Sequence, residues 1–179
     1  HRPRRRKQVA YNGRKRKKVL MDTHPLAYYV YRTAHGAITI CVNESGVRNV
    51  ALGIVAFDAP CRPTELSNRA ATELQEYLAG KRLAFDVPIC PGGSDFQRAA
   101  WSEIARIPYG TSRTATDIAR ALGRPGSHRA VGQAVRENPL AIVIPDHRVV
   151  GSNGHSLLKG APGRVREALL RMERSNLGC

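Results

Sequence analysis

The chain has 179 residues and 42% of them are hydrophobic, enough to bury a core in one domain or in two small domains packed together. It has no apolar run of the roughly 20 residues that cross a bilayer, and no secretory-type apolar segment near its start. Its four cysteines contain no CxxC pair, which favours reduced thiols over a disulfide scaffold. We expect a cytoplasmic or nucleoid-associated protein without membrane contact.

The net charge of +15 predicts a polyanionic partner, with nucleic acid ahead of an anionic membrane because no strongly amphipathic basic helix is evident. Residues 1–18 contain ten of the 29 Lys and Arg residues and no acidic residue, so the rest of the chain has a net charge of only +5. We predict a disordered basic tail over 1–22. It either binds phosphates without sequence preference or is an extension outside the folded protein, with Met21 as the start.

The first half of the chain predicts a small α+β domain over 23–90. The β-rich runs 27–32, 37–42 and 47–54, with a turn at NESG (43–46), indicate an antiparallel sheet. Apolar and small residues at helical spacing predict a helix over 63–80, and a further strand is predicted over 82–89. Its expected role is support, without chemistry of its own.

The second half, 94–176, predicts a helical domain after the PGG linker (91–93). Ser94 with Gln97, and Thr114 with Asp117, are capping-box signatures that begin two helices. After the turn GRPG (123–126), Ser127 is predicted to cap a third helix that ends at Asn138-Pro139. Two short helices joined by a Gly-containing turn are typical of a helix-turn-helix, although many helical hairpins bind nothing.

A short apolar run, LAIVI (140–144), is read as a buried strand that ends at Pro145 and places Asp146, His147 and Arg148 at a sharp exit. Such a cluster is either a surface turn or a catalytic corner held by a rigid element. A Gly-rich loop over 151–163 and an amphipathic closing helix over 164–174 complete the predicted domain.

Five segments of this sequence together resemble the O6-alkylguanine-DNA alkyltransferase family. The resemblance covers nearly the whole chain beyond the tail, and the segments occur in the order and at the spacing of that family. It implies an N-terminal α+β domain and a C-terminal helix-turn-helix domain that enters the minor groove of DNA and flips a nucleotide out. The segments are FQRAAWSEIARIPYG (96–110), RAVGQAV (129–135), ENP (137–139), IPDHRVV (144–150) and VREALLRME (165–173).

The resemblance assigns Arg129 to the arginine that fills the space left by the flipped nucleotide. An inserted guanidinium offsets part of the few kcal/mol that extrusion costs. Small side chains on the same helix would let it approach the DNA backbone closely. The DNA-binding residues implied are Ser127, Arg129, Ala130, Gly132, Ala134 and Arg148.

The resemblance also assigns roles around the exit corner. Asn138 matches an asparagine that braces the turns beside Pro145, and His147 and Glu173 match the histidine and glutamate that act through a water on the acceptor cysteine. A carboxylate that orients an imidazole is ordinary general-base architecture.

Three positions depart from the family pattern. Asp146 replaces the acceptor cysteine of the family, and Lys159 replaces a tyrosine that assists the departing guanine oxygen. Ala115 replaces a second tyrosine that some members have. A carboxylate is a poor alkyl acceptor and cannot form the thioether that a cysteine forms, so from the sequence alone we expect alkyl transfer to cysteine to be excluded. The expected lesion pocket is roomier and more cationic, and is lined by Ala115, Val149 and Gly160.

Two functions follow for a protein whose expected partner is double-stranded DNA with a damaged base. In the first, a DNA N-glycosylase uses Asp146 to stabilise the sugar cation, with His147, Glu173 and Lys159 as the other catalytic groups. In the second, a non-enzymatic sensor binds lesions and recruits other repair proteins, and Asp146 pairs with Lys159 or Arg148. We expect a monomer without a cofactor. We also expect no metal, since the positions that bind zinc in some family members, including Asn43 here, do not form a Cys/His cluster.

Overall fold

A computed structural model describes residues 25–178 and shows the predicted α+β architecture. Three antiparallel strands form a sheet in the order β1-β2-β3, with β1 at Ala27–Thr33, β2 at Gly36–Val42 and β3 at Val47–Leu52. The central strand β2 is buried on both faces from Ile38 onward. The side chain of Asn43 closes the predicted turn by accepting hydrogen bonds from the backbone of Ser45 and Gly46.

Helix α1 spans Glu65–Leu78 and packs against the sheet, which confirms the predicted helix. Thr64 begins it with a capping box, in which the Thr64 and Ser67 side chains accept from each other's backbone. The buried side chains Leu74 and Tyr77 face the core of the molecule. The last turn of α1 thereby brings Tyr77 to the second half of the chain.

The strand predicted over 82–89 is wrong. The carboxylate of Glu73 accepts hydrogen bonds from the backbone N–H groups of Asp86 and Val87, which a strand would use in its ladder. Arg82 binds Glu76 and Asp86 and holds the segment as an irregular loop. Only Ile89 makes an isolated bridge, to Val47.

The second half contains four helices and two short strands, and both predicted capping boxes are present, at Ser94 and Thr114. The Ser127 side chain does not cap its helix, because Ser127 lies in a 3-10 turn, Pro125–Ser127, that leads directly into α4. The strands pair in parallel. The elements are α2 (Asp95–Ala105), β4 (Arg113–Thr114), α3 (Ala115–Ala121), α4 (His128–Arg136), β5 (Val149–Val150) and α5 (Gly160–Leu177).

Alternate residues of the apolar run 140–144 are buried, namely Leu140, Ile142 and Ile144, and the run forms turns instead of the predicted strand. Ile142 has a φ of 72°, a left-handed conformation that is strained for a β-branched residue. Its burial and the hydrogen bonds that the Asn138 side chain makes with the backbone of Leu140 and Ile144 offset that strain. The segment that leads to Pro145 is thus held by side-chain contacts.

The two halves of the chain are joined through their backbones. Val50 in β3 donates to the Pro139 oxygen at 2.9 Å and accepts from the Ala141 nitrogen at 3.1 Å. The closing helix α5 begins at Gly160, earlier than predicted, because the end of the Gly-rich segment forms its first turn. Within residues 25–178, no helix is long and apolar enough to cross a membrane. The predicted basic tail lies outside the described residues.

Candidate functional site

The polar residues that follow Pro145 form a buried corner. Asp146, His147 and Arg148 make one 3-10 turn that leads into β5, and their exposed fractions are 3%, 2% and 7%. Three adjacent polar residues are rarely buried unless each has partners. We therefore expect each of Asp146, His147 and Arg148 to have hydrogen-bond or charge partners within the protein.

Asp146 is held by two donors on different elements. Its Oδ2 atom accepts from Asn138 Nδ2 at 3.0 Å and from Arg166 Nη2, on α5, at 2.9 Å. The expected pairing of Asp146 with Lys159 or Arg148 is wrong, because Arg166 neutralises the carboxylate. Asn138 also donates to the Ile144 oxygen, so it contacts both the turn and the acidic side chain.

His147 and Glu173 are in direct contact, with His147 Nε2 2.7 Å from Glu173 Oε1. The hydroxyl of Tyr77, from α1, donates to the same carboxylate oxygen at 2.6 Å and lies 3.2 Å from His147 Nε2. The side chains of His147 and Glu173 are fully buried. The N-terminal half of the chain therefore contributes directly to this site.

Arg148 also binds Glu173 instead of facing solvent. Its Nη2 and Nε donate to the two carboxylate oxygens at 2.8 Å and 3.0 Å, and its Nη1 donates to the Ile107 oxygen. The expected contact of Arg148 with DNA is therefore wrong, because the guanidinium is buried within the protein. The Gly110 backbone N–H also donates to Glu173 Oε2, at 2.9 Å.

Glu173 is ionised because its donors outweigh its burial. Burial alone disfavours the charged form, but hydrogen bonds from His147 and Arg148 hold the pKa of Glu173 well below its usual range. Burial and the neighbouring Glu173 carboxylate raise the pKa of Tyr77, which remains a neutral donor.

The ionised carboxylate also determines which ring nitrogen of His147 donates to it. Because a carboxylate only accepts, the proton of this hydrogen bond is assigned to His147 Nε2. Nδ1 is enclosed and has no hydrogen-bond partner among residues 25–178. The expected water-mediated role of His147 stays a prediction.

Helices α3 and α4 form the predicted helix pair, and α4 presents basic residues to solvent. Arg129 and Ala130 are exposed and Ser127 is half-buried. Gly132 and Ala134 face inward, and the Ala134 oxygen accepts from the Trp101 indole at 2.8 Å. Of the small residues expected to approach DNA, only Ala130 is accessible. Trp101 belongs to the core.

The residues expected to line a lesion pocket lie at the starts of three elements, α3, β5 and α5. Pairing of β4 with β5 places Arg113 opposite Val149, which is buried, and Ala115 follows β4 as the first residue of α3. Lys159 and Gly160 are exposed at the start of α5, the helix that also carries Arg166. Within the described part of the chain, no cluster of three or more His, Cys, Asp or Glu side chains could hold a metal ion.

Two residues of the site were missed from the sequence, Tyr77 and Arg166. Tyr77 lies 96 positions before Glu173 in a helix assigned to support. Arg166 was one of several basic residues in a helix read only as amphipathic. Its spacing of almost two helical turns from Glu173 was the available signal, since residues seven apart lie on one helix face.

Comparison with protein-family models identifies both halves of the chain. Residues 26–91 match the ribonuclease-like domain of 6-O-methylguanine DNA methyltransferase, and residues 95–175 match the DNA-binding domain of the same enzyme.

Individual relatives agree with the family models. The chain is 36% identical to methylated-DNA--protein-cysteine methyltransferase of Methanosarcina barkeri over 155 residues, which are 84% of this chain and 98% of the relative. It is 46% identical over 108 residues to the constitutive enzyme of Bacillus subtilis, covering 59% of this chain and 64% of that one. The crystal structure of Mycobacterium tuberculosis OGT in complex with DNA aligns with a TM-score of 0.76 at 33% identity, covering 84% of this chain and 94% of that chain.

These names contradict two expectations from the sequence. Relatives that align over almost their full length are named cysteine methyltransferases, so neither the DNA glycosylase assignment nor the exclusion of alkyl transfer to cysteine is retained. The catalytic role expected for Lys159 in base release falls with the glycosylase assignment. The residue at position 146 is nevertheless aspartate, and the described cysteines lie in the first half of the chain, at Cys41, Cys61 and Cys90.

Proposed function

Because this chain belongs to the 6-O-methylguanine DNA methyltransferase family, we propose that it binds O6-alkylguanine lesions in double-stranded DNA and turns the damaged nucleotide into a pocket beside Asp146. In this proposal α4 enters the minor groove and Arg129 fills the space that the nucleotide leaves. The observation that carries the proposal is the exposed Arg129 on the second helix of the pair, within the matched DNA-binding domain.

The charge of the helix pair supports a phosphate-binding surface. Arg124, His128, Arg129 and Arg136 are exposed on or next to α4, and the helix itself contains no acidic residue. Arg and Lys side chains that contact phosphates supply most of the nonspecific affinity for DNA. The M. tuberculosis structure with the same fold was determined in complex with DNA.

The buried corner supports a preformed pocket wall. Asp146 is fixed by Asn138 and Arg166, and the adjacent His147 is fixed by Glu173 and Tyr77. A binding site held by side chains whose own partners are fixed loses little conformational entropy when it binds its ligand. Lesion selectivity is then expected without ordering of the corner.

A competition experiment tests this function. Full-length protein is titrated into labelled duplex DNA with one O6-methylguanine and then competed with unlabelled duplexes, at two salt concentrations. We expect the lesion duplex to compete at least tenfold better than the intact duplex of the same sequence, and we expect this ratio to persist at higher salt although both affinities fall. Equal competition by intact and lesion duplexes at both salt concentrations would contradict the proposed function.

A further inference from the structure

We infer that the free oxygen of Asp146 makes the pocket selective for lesions whose O6 substituent carries a hydrogen-bond donor. This inference rests on the proposed function, in which position 146 lies where the family receives the alkyl group. It goes beyond that function because it names a chemical class of lesion. Neutral alkyl groups and anionic substituents are the two classes that the pocket would bind less well.

The two oxygens of Asp146 have different environments. Both recorded hydrogen bonds, from Asn138 and Arg166, go to Oδ2. Oδ1 accepts no hydrogen bond from residues 25–178, and it is not fully enclosed by the protein. Oδ1 is therefore the accessible edge of an otherwise buried carboxylate.

A hydrogen-bond acceptor at the end of a buried side chain disfavours ligands that do not donate to it, because burying an acceptor without a donor costs free energy. Because no described residue donates to Oδ1, its hydrogen-bond partner has to come from water or from a ligand, and a base that enters the pocket excludes the water. An ammonium or hydroxyl on the lesion replaces the lost bond, whereas a methyl or propyl group leaves Oδ1 desolvated. A lesion carboxylate adds repulsion between two acceptors that have no proton to share.

The arrangement of donors makes the substitution Asp146→Asn informative. Asn138 Nδ2 and Arg166 Nη2 both need an acceptor, so the new amide places its oxygen at the Oδ2 position. Its NH2 group then occupies the Oδ1 position and presents a donor to the pocket. The variant should invert the preference of the pocket with almost no change in side-chain size.

The test uses three duplexes that differ only in the O6 substituent of one guanine: 2-aminoethyl, a donor; propyl, without polar atoms; and carboxymethyl, an acceptor. For the wild-type protein we expect affinity to fall in that order, with the aminoethyl duplex bound about tenfold more tightly than the propyl duplex, as for a charge-assisted bond. For Asp146→Asn we expect carboxymethyl to be bound more tightly than aminoethyl.

The matched control is Glu167→Gln, which removes the same charge from α5 at a side chain that is 39% exposed and pairs with His155 instead of the corner. It should keep the wild-type order. If Asp146→Asn also keeps that order while lesions are still preferred over intact duplex, the inference is overturned and the proposed function stands. If the wild-type protein binds no lesion duplex more tightly than intact DNA, the proposed function itself fails.

Discussion

Replacing Glu173 with glutamine is expected to lower the free energy of unfolding by about 3–5 kcal/mol, the usual loss when one partner of a buried ion pair is removed. Tyr77 and Arg148 donate to Oε1, and Gly110 and Arg148 donate to Oε2. Either orientation of the new amide therefore turns its NH2 group toward another donor. The substitution also leaves the Arg148 guanidinium buried without its counter-charge. Denaturant unfolding measures the loss.

Glu167→Gln is the matched control, since Glu167 lies on the same helix and is partly exposed. It should change the free energy of unfolding by no more than about 0.5 kcal/mol. Comparable small losses in both variants would contradict the structural role assigned to Glu173.

The stability of the protein should also depend on pH through Glu173. Its folded-state pKa is lowered, so the unfolded chain takes up a proton first as the pH falls through about 4.3. The contribution of Glu173 is therefore complete above that pH and is lost progressively below it. The decline in acid should be shallower in Glu173→Gln than in the wild-type protein.

Arg129→Ala is expected to remove most of the preference for lesion DNA, with the ratio of lesion to intact affinity falling by a factor of about 10 to 100. The extruded nucleotide leaves an unstacked gap that costs a few kcal/mol, and without the guanidinium nothing on α4 fills it. Affinity for intact duplex should change little, because one phosphate contact at most is lost. Competition binding with O6-methylguanine duplex measures both quantities.

Arg106→Ala is the matched charge control for this variant. Arg106 follows α2, and its side chain is 72% exposed and pairs with neighbouring Glu103. It removes one positive charge without touching α4. An Arg129→Ala protein that retains the lesion preference of Arg106→Ala would show that Arg129 does not fill the gap.

Local signals predicted the helices well. The capping boxes at Ser94 and Thr114 involve residues three apart, so the sequence contains all that is needed to locate them. The motif around Asp146 likewise located the buried corner, because its polar residues directly follow an apolar run. The bracing role of Asn138 came from the family resemblance instead of from a local signal.

Contacts between distant residues could not be predicted in this way. The backbone of 86–87 binds Glu73 instead of a neighbouring strand, so its β-like composition was misleading. Asp146 could have paired with any of several nearby basic side chains, and only the path of α5 selects Arg166. The position of Tyr77 depends on how α1 packs against the second half of the chain, which no local pattern records.

The most direct test of nucleotide flipping is the fluorescence of 2-aminopurine placed beside the lesion in the duplex. This base is quenched while stacked and brightens when its neighbour leaves the helix. Saturating wild-type protein should raise the emission with O6-methylguanine duplex and leave the matched intact duplex unchanged, and Arg129→Ala should reduce the rise. Lesion-selective binding without any rise in emission would contradict the account, because the damaged base would then be recognised inside the duplex.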